Sequence, residues 1–379
     1  MKKSLIALAF GTLGLGIAEF VMMGILPDVA SALHIGLTKA GHFISAYALG
    51  VCLGAPALVL ARKYPLKKIL LTLMCFILVG NLCAALSPNY YFMLFGRLLS
   101  GLPHGAYFGV ASITAEKLAD KGKGSEAVAI MVAGMTVANL FGVPLGTALA
   151  TSLSWRATFF LVSIWSIVTF LALWRWVPKV KSLPDTGLRG QFRFLKSPAP
   201  WLILLATMLG NGGIFCWYSY ITPLLTHISG FPAHRITGLM VLAGLGMVVG
   251  NLLGGRLADR YTPGRVAAGA QGLTCLALIA IFFLAHISWL SVVLMCICTA
   301  CLFAISSPQQ VSIIRYSKGG EMLGAGGVQI AFNLGNALGA YFGGLVLVHG
   351  YRYPALAGLP LVICGFILQM IFCKKYEHR

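Results

Sequence analysis

Apolar residues run along this chain in blocks of roughly 20, broken by short clusters of charge, proline and glycine. That length is what an α-helix needs to cross a hydrocarbon core of about 30 Å. Twelve spans are expected, at 5–26, 40–61, 69–86, 91–115, 125–149, 156–177, 200–225, 236–257, 265–286, 289–312, 322–348 and 354–373. Most connections are short, so neighbouring helices run antiparallel. One differs: the stretch from Lys179 to Pro198 is polar and basic, and it divides the spans six and six. The pattern predicts an all-α polytopic membrane protein, with a six-helix bundle at 1–178, a linker at 179–198 and a second six-helix bundle at 199–379. The start imitates a secretory signal, with Lys2-Lys3 ahead of an apolar run and Ala30-Ser31-Ala32 as a cutting point. That run exceeds the roughly 7–15 residues of a signal core and contains Glu19, so it is read as the first span.

The two halves repeat one another. Gly134, Ala138, Gly142 and Gly146 recur every four residues in the fifth span, and Ala331, Gly335, Gly339 and Gly343 repeat them 197 positions on. Asn139 falls on Asn336 at the same offset, and Gly50 and Gly54 match Gly246 and Gly250 at an offset of 196. Six spans per half with shared glycine ladders indicate an internal duplication. Parallel repeats of this kind are a transporter architecture with the solute site near the midplane.

Composition sharpens the class. Of 379 residues, 59% are hydrophobic and 10% charged, against about a quarter charged in soluble domains. The formal charge of +19 raises the question of nucleic acid. Its distribution answers it: 23 of the 28 Lys and Arg residues fall in the termini and every second loop. That asymmetry is the positive-inside signal, and it predicts both termini in the cytoplasm. A nucleic-acid surface would gather the charge on one soluble face.

Ionisable groups inside a span are functional candidates by default, because each costs a few kcal/mol or more. Of nine carboxylates only Glu19 lies deep in a span, about 10 Å below the outer end of its helix. Arg97 enters the fourth span from the same side to about 9 Å. The two are expected to pair, either as a proton-coupling site or as a structural lock. His104 follows Arg97 at i+7 on nearly the same face, as a proton relay, a solute ligand or a structural histidine. Gln329, Asn333 and Asn336 form an amide stripe in the eleventh span, and Thr136 and Asn139 share a stripe in the fifth. Amides both donate and accept, which suits neutral polar solutes; the alternative is bonding between helices. Asn211 and Trp217 in the seventh span are candidates for a cavity wall. Cys296, Cys298 and Cys301 cluster without a nearby His or acid, so packing is expected there, and neither a metal nor a cofactor is expected anywhere.

Four stretches carry a family resemblance: GIAEFVMMGILPDVA from Gly16, GRLLSGLPHGAYFG from Gly96, GMTVANLFGVPLGT from Gly134 and GGRLADRYTPGR from Gly254. With them the chain resembles the major facilitator superfamily, and within it the twelve-span drug:proton antiporter group and the arabinose-efflux-like (AraJ-type) proteins. The resemblance implies the major facilitator fold, a monomer in a bacterial inner membrane, and alternating access about a central site. It implies that Glu19 and Arg97 couple transport to protons, and that Asp259 and Arg260 belong to a cytoplasmic latch. Two departures stand out. The equivalent first-half loop reads Arg62-Lys63-Tyr64 opposite Asp259-Arg260-Tyr261, so the acid is missing there. The fifth-span motif reads GVPLG in place of the Gly-Pro pair of antiporters.

The reading that follows is export of a small solute, a sugar, sugar derivative or drug-like molecule, by proton antiport. An uncoupled facilitator of the same fold is the alternative. A membrane-embedded enzyme is remote, since the chain carries no paired carboxylates or histidine cluster at a membrane face.

Overall fold

The computed structural model describes residues 2–377. Among the described residues twelve long helical segments form the frame. We number them α1 (Lys2–Ala32), α2 (His42–Ala57), α3 (Leu66–Ala85), α4 (Tyr90–Leu118), α5 (Gly124–Val137, continuing to Ser152), α6 (Trp155–Trp176), α7 (Pro198–Tyr218), α8 (Ala233–Arg260), α9 (Pro263–Leu284), α10 (Ser288–Ala304), α11 (Glu321–Leu345) and α12 (Tyr353–Tyr376). Eleven segments among the described residues are long and apolar enough to cross a membrane. The exception is α4, which at 29 residues is long enough, but whose apolar run is diluted by Arg97, His104 and many small residues.

Local chemistry sets the helix starts. The Asn89 side chain accepts from the Phe92 N–H, Ser154 from Arg156, and Thr262 from Arg265, each occupying an orphan donor of a first turn. Pro198 and Pro263 stand at first-turn positions, where a missing N–H costs nothing. Three of the expected spans are interrupted. In α5 a π turn, Ala138–Gly142, separates two α segments. After α7 the chain turns through Ile221–Pro223 into a second π turn, Leu224–Ile228. Past Ala304, α10 resumes as Ser306–Tyr316.

The glycine ladders are close-approach surfaces, and the duplication extends to their partners. A Cβ at Gly50 or Gly54 of α2 would overlap the Leu98 and Leu102 carbonyls of α4, and one at Gly250 or Gly254 of α8 would overlap Ala300 and Ala304 of α10. Likewise Gly134 of α5 lies against Ala9 of α1, while Gly335, Gly339 and Gly343 of α11 lie against Met208, Gly212 and Cys216 of α7. Small residues allow this approach where no hydrophobic drive pulls helices together in lipid.

The chain divides into two compact units, one of Met1–Lys121, Ile130–Phe194 and Lys318–Ile330, the other of Gly122–Ala129, Leu195–Ser317 and Ala331–Arg379. The start of α5 thus belongs with the second unit and the start of α11 with the first. Asn251 of α8 donates to the Ala129 carbonyl at 2.7 Å. A Cβ at Gly326 of α11 would press on Ala55 of α2.

Candidate functional site

Within the first unit α1, α2 and α4 bring one acid, one base, one imidazole and one phenol together. Glu19 is supplied by α1 and keeps 14% side-chain exposure. Its Oε2 is buried without a hydrogen-bond partner and lies 3.8 Å from His104 Nδ1. His104 and Arg97 come from α4, both buried. Their seven-residue spacing separates them by about 10 Å along one helix face. Tyr47 of α2 spans that distance. Its ring lies under the Arg97 guanidinium, 4.5 Å from ring centroid to Cζ, and its hydroxyl lies 2.9 Å from His104 Nδ1.

Arg97 engages α1 through the backbone. Its Nη1 donates to the Ala18 carbonyl at 2.8 Å and its Nε to the Phe43 carbonyl at 3.3 Å, while Nη2 is buried with no partner. The guanidinium is thus fixed beside the acid without forming an ion pair with it. Tyr47 and, at 5.8 Å, Phe159 offer ring faces to the charge, an attraction worth about 2 kcal/mol when desolvated. His104 stacks on Phe108 with ring centroids 5.1 Å apart, which holds its plane.

The Tyr47 hydroxyl has two partners and one proton. The Leu15 carbonyl is 3.4 Å away and His104 Nδ1 is 2.9 Å away. If Nδ1 is bare, the hydroxyl donates to it; if Nδ1 carries a proton, the hydroxyl accepts from it and donates to Leu15. The protonation of Nδ1, which lies 3.8 Å from Glu19 Oε2, therefore decides which way the Tyr47 O–H points, while the ring stays beneath Arg97. Sequence reasoning passed over Tyr47 because a single tyrosine in an apolar run carries no ionisable signature. Its spacing from the glycine at 50 on the α4-facing side was the one signal available.

The other candidates are distributed. Asn211 of α7 donates both to the Phe332 carbonyl at 3.1 Å and to the side-chain oxygen of Asn336 on α11. Two residues assigned to a cavity wall are thus bonded to each other. Gln329 is buried and Asn333 partly so on the same helix. Thr136 is buried and bonds the Ala133 carbonyl, and Asn139 lies in the π turn of α5, a distortion frequent at functional positions. Trp217 is enclosed among Ile214, Leu224 and Met247 in an apolar cluster. Asp259 accepts from the backbone N–H groups of Ser125 at 2.8 Å and Glu126 at 2.7 Å, so both carboxylate oxygens cap the first turn of α5. Arg256 pairs with Glu126 at 3.1 Å, whereas Arg260 is exposed, 5.7 Å from the Tyr261 ring. Among the described residues no group of three or more His, Cys, Asp or Glu side chains is placed to hold a metal.

A fold of twelve membrane-length helices in two related halves, with ionisable groups buried among them, is that of a multi-pass membrane transporter. The chain belongs to the major facilitator superfamily, whose family model matches residues 8–327. It is 48% identical to AraJ of Escherichia coli (strain K12), over 100% of this chain and 97% of that one. It is 35% identical to the inner membrane transport protein YdhP of the same strain, over 99% and 96%. Among solved structures it superposes on the E. coli fucose:proton symporter FucP with a TM-score of 0.78 at 15% identity, covering 97% of this chain and 98% of that one. The protein is therefore a transporter of a small solute, and not an enzyme.

Proposed function

We propose that this protein exports a small polar solute across a bacterial inner membrane in exchange for protons, with both termini in the cytoplasm and access alternating between the two sides. The observation that carries this reading is Glu19 Oε2, buried, unpartnered and 3.8 Å from His104 Nδ1. Coupling requires a group whose protonation is felt by the transport machinery. The path from Glu19 through His104 and Tyr47 to Arg97 connects such a group to three helices. Proton influx down a potential contributes about 2.3 kcal/mol per charge per 100 mV. The solute is a sugar, sugar derivative or drug-like molecule, and amides such as Asn333 and Asn336 on α11, which both donate and accept, suit a polar one. The Asp259 cap on α5 serves as the cytoplasmic latch.

One observation favours the uncoupled facilitator: Arg97 spends its donors on the Ala18 and Phe43 carbonyls, as a purely structural arginine would. Everted vesicles with an acid interior and a pH-quenched dye separate the two. A panel of sugars, nucleosides and drugs is added to wild type and to Glu19→Gln. Solute-dependent proton release in wild type, absent from the variant, supports antiport through Glu19. Labelled-solute flux that ignores collapse of the proton gradient establishes the facilitator.

A further inference from the structure

The two latch positions related by the duplication are chemically opposite. At an offset of 197, Arg62 corresponds to Asp259, and Ser125 and Glu126 correspond to Met322 and Leu323 at the start of α11. In the second half the Asp259 carboxylate bonds two N–H groups of α5 directly. Arg62 has only donors and cannot do this for α11.

The linker supplies what position 62 lacks. Arg62 Nε donates to Asp185 Oδ1 at 2.8 Å, and Lys63 Nζ lies 4.0 Å from Oδ2. The Gly187 N–H donates to the same Oδ1 at 3.0 Å, with Gly187 at φ +71, a left-handed conformation that suits glycine. That N–H, and then the Arg62 guanidinium, hold the Asp185 carboxyl below the usual carboxylate range. The next residues reach the turn that precedes α11. Thr186 Oγ1 donates to the Gly319 carbonyl at 2.7 Å, and Gln191 Nε2 donates to the same carbonyl at 2.9 Å and to Thr186 Oγ1 at 3.1 Å. Gln191 is 3% exposed although it stands in a polar linker, and a Cβ at Gly320 would overlap its carbonyl. A tether that merely joined two bundles would have no reason to bury an amide or to press against the α11 turn.

We infer that the linker segment Asp185–Gln191 is a clamp, replacing the latch carboxylate missing from the first half by joining Arg62 to the start of α11. The clamp is independent of which solute or ion is moved. It makes the two latches differ in kind: one is a direct carboxylate cap, the other a detachable strap. A conformational change that frees the start of α11 must first release Asp185, Thr186 and Gln191.

Amide hydrogen exchange of the full-length protein in lipid nanodiscs tests this. Asp185→Ala should raise exchange across 186–191 and 320–324 by about two- to fivefold, the range for exposed charged contacts, while 125–129 keeps its protection. Asp185→Asn, which keeps an acceptor for the Gly187 N–H and the Arg62 guanidinium but removes the charge, should raise exchange in the same two segments by a smaller factor. Unchanged exchange in Asp185→Ala overturns the clamp. So does loosening spread evenly along the chain in both variants, because it would make Asp185 a general determinant of folding.

Discussion

Replacing Asp259 by asparagine leaves its size unchanged and removes one charge and one acceptor from the start of α5. The carboxylate bonds the Ser125 and Glu126 N–H groups at 2.8 and 2.7 Å, one through each oxygen. Asparagine can keep one bond through its carbonyl, but its NH2 then faces the other N–H, donor against donor. Loss of a hydrogen bond to a charged group costs about 1.5–3 kcal/mol, and loss of negative charge at a helix N-terminus about 0.3–1 kcal/mol. Asp259 is partly solvated, so the low end applies, about 2 kcal/mol, or about 30-fold in the opening equilibrium. The neighbouring Arg256–Glu126 pair gives the control. Arg256 is 66% exposed, and exposed pairs are worth about 0.2–1 kcal/mol, so Arg256→Ala should shift opening by less than about sixfold. The reporter is a thiol at position 125, where Ser125 is buried and whose N–H survives substitution. With the ten native cysteines replaced, maleimide labelling of Ser125→Cys should be about 30-fold faster in the Asp259→Asn background. Equal labelling rates, or an equal effect from Arg256→Ala, would refute the reasoning.

Tyr47→Phe keeps the ring beneath Arg97 and removes the hydroxyl from His104; it should lower solute-driven proton release in vesicles and destabilise by about 1–3 kcal/mol, since the buried His104 Nδ1 loses that partner. Gly250→Ala drives a methyl into the Ala300 carbonyl and should destabilise by about 1–3 kcal/mol in detergent unfolding. By contrast Gly269, with open space around its Cβ position, should tolerate alanine or gain about 0.5–1 kcal/mol. Asp185 is held below the ordinary carboxylate range, by the Gly187 N–H first and Arg62 second, so the clamp is complete above that range and lost only as pH falls through the lowered value. Exchange protection across 186–191, corrected for intrinsic rate, should stay flat from about pH 8 to about pH 6; a loss within that window would refute the assignment.

The sequence by itself determined the class, the helices and the duplication. Hydropathy and helix length belong to one segment and its surroundings, so they can be read without knowing any other segment. Even α4 was legible from its length and flanks, although Arg97 and His104 dilute it. The periodic glycines were legible as a repeat, but only the tertiary structure showed that they are close-approach surfaces and named their partners, α1 for α5 and α7 for α11. Glu19, Arg97 and His104 could be singled out because charge in a span is costly. That Arg97 bonds the carbonyls of Ala18 and Phe43, that Tyr47 joins it to His104, and that Trp217 packs into apolar core followed from how helices far apart in sequence are stacked. The missing acid opposite Asp259 was visible as a departure, while its replacement was not: Arg62 and Asp185 lie 123 residues apart. A hydrogen bond across that separation leaves no periodicity in the chain, because its strength depends on a position in space that many other contacts set together.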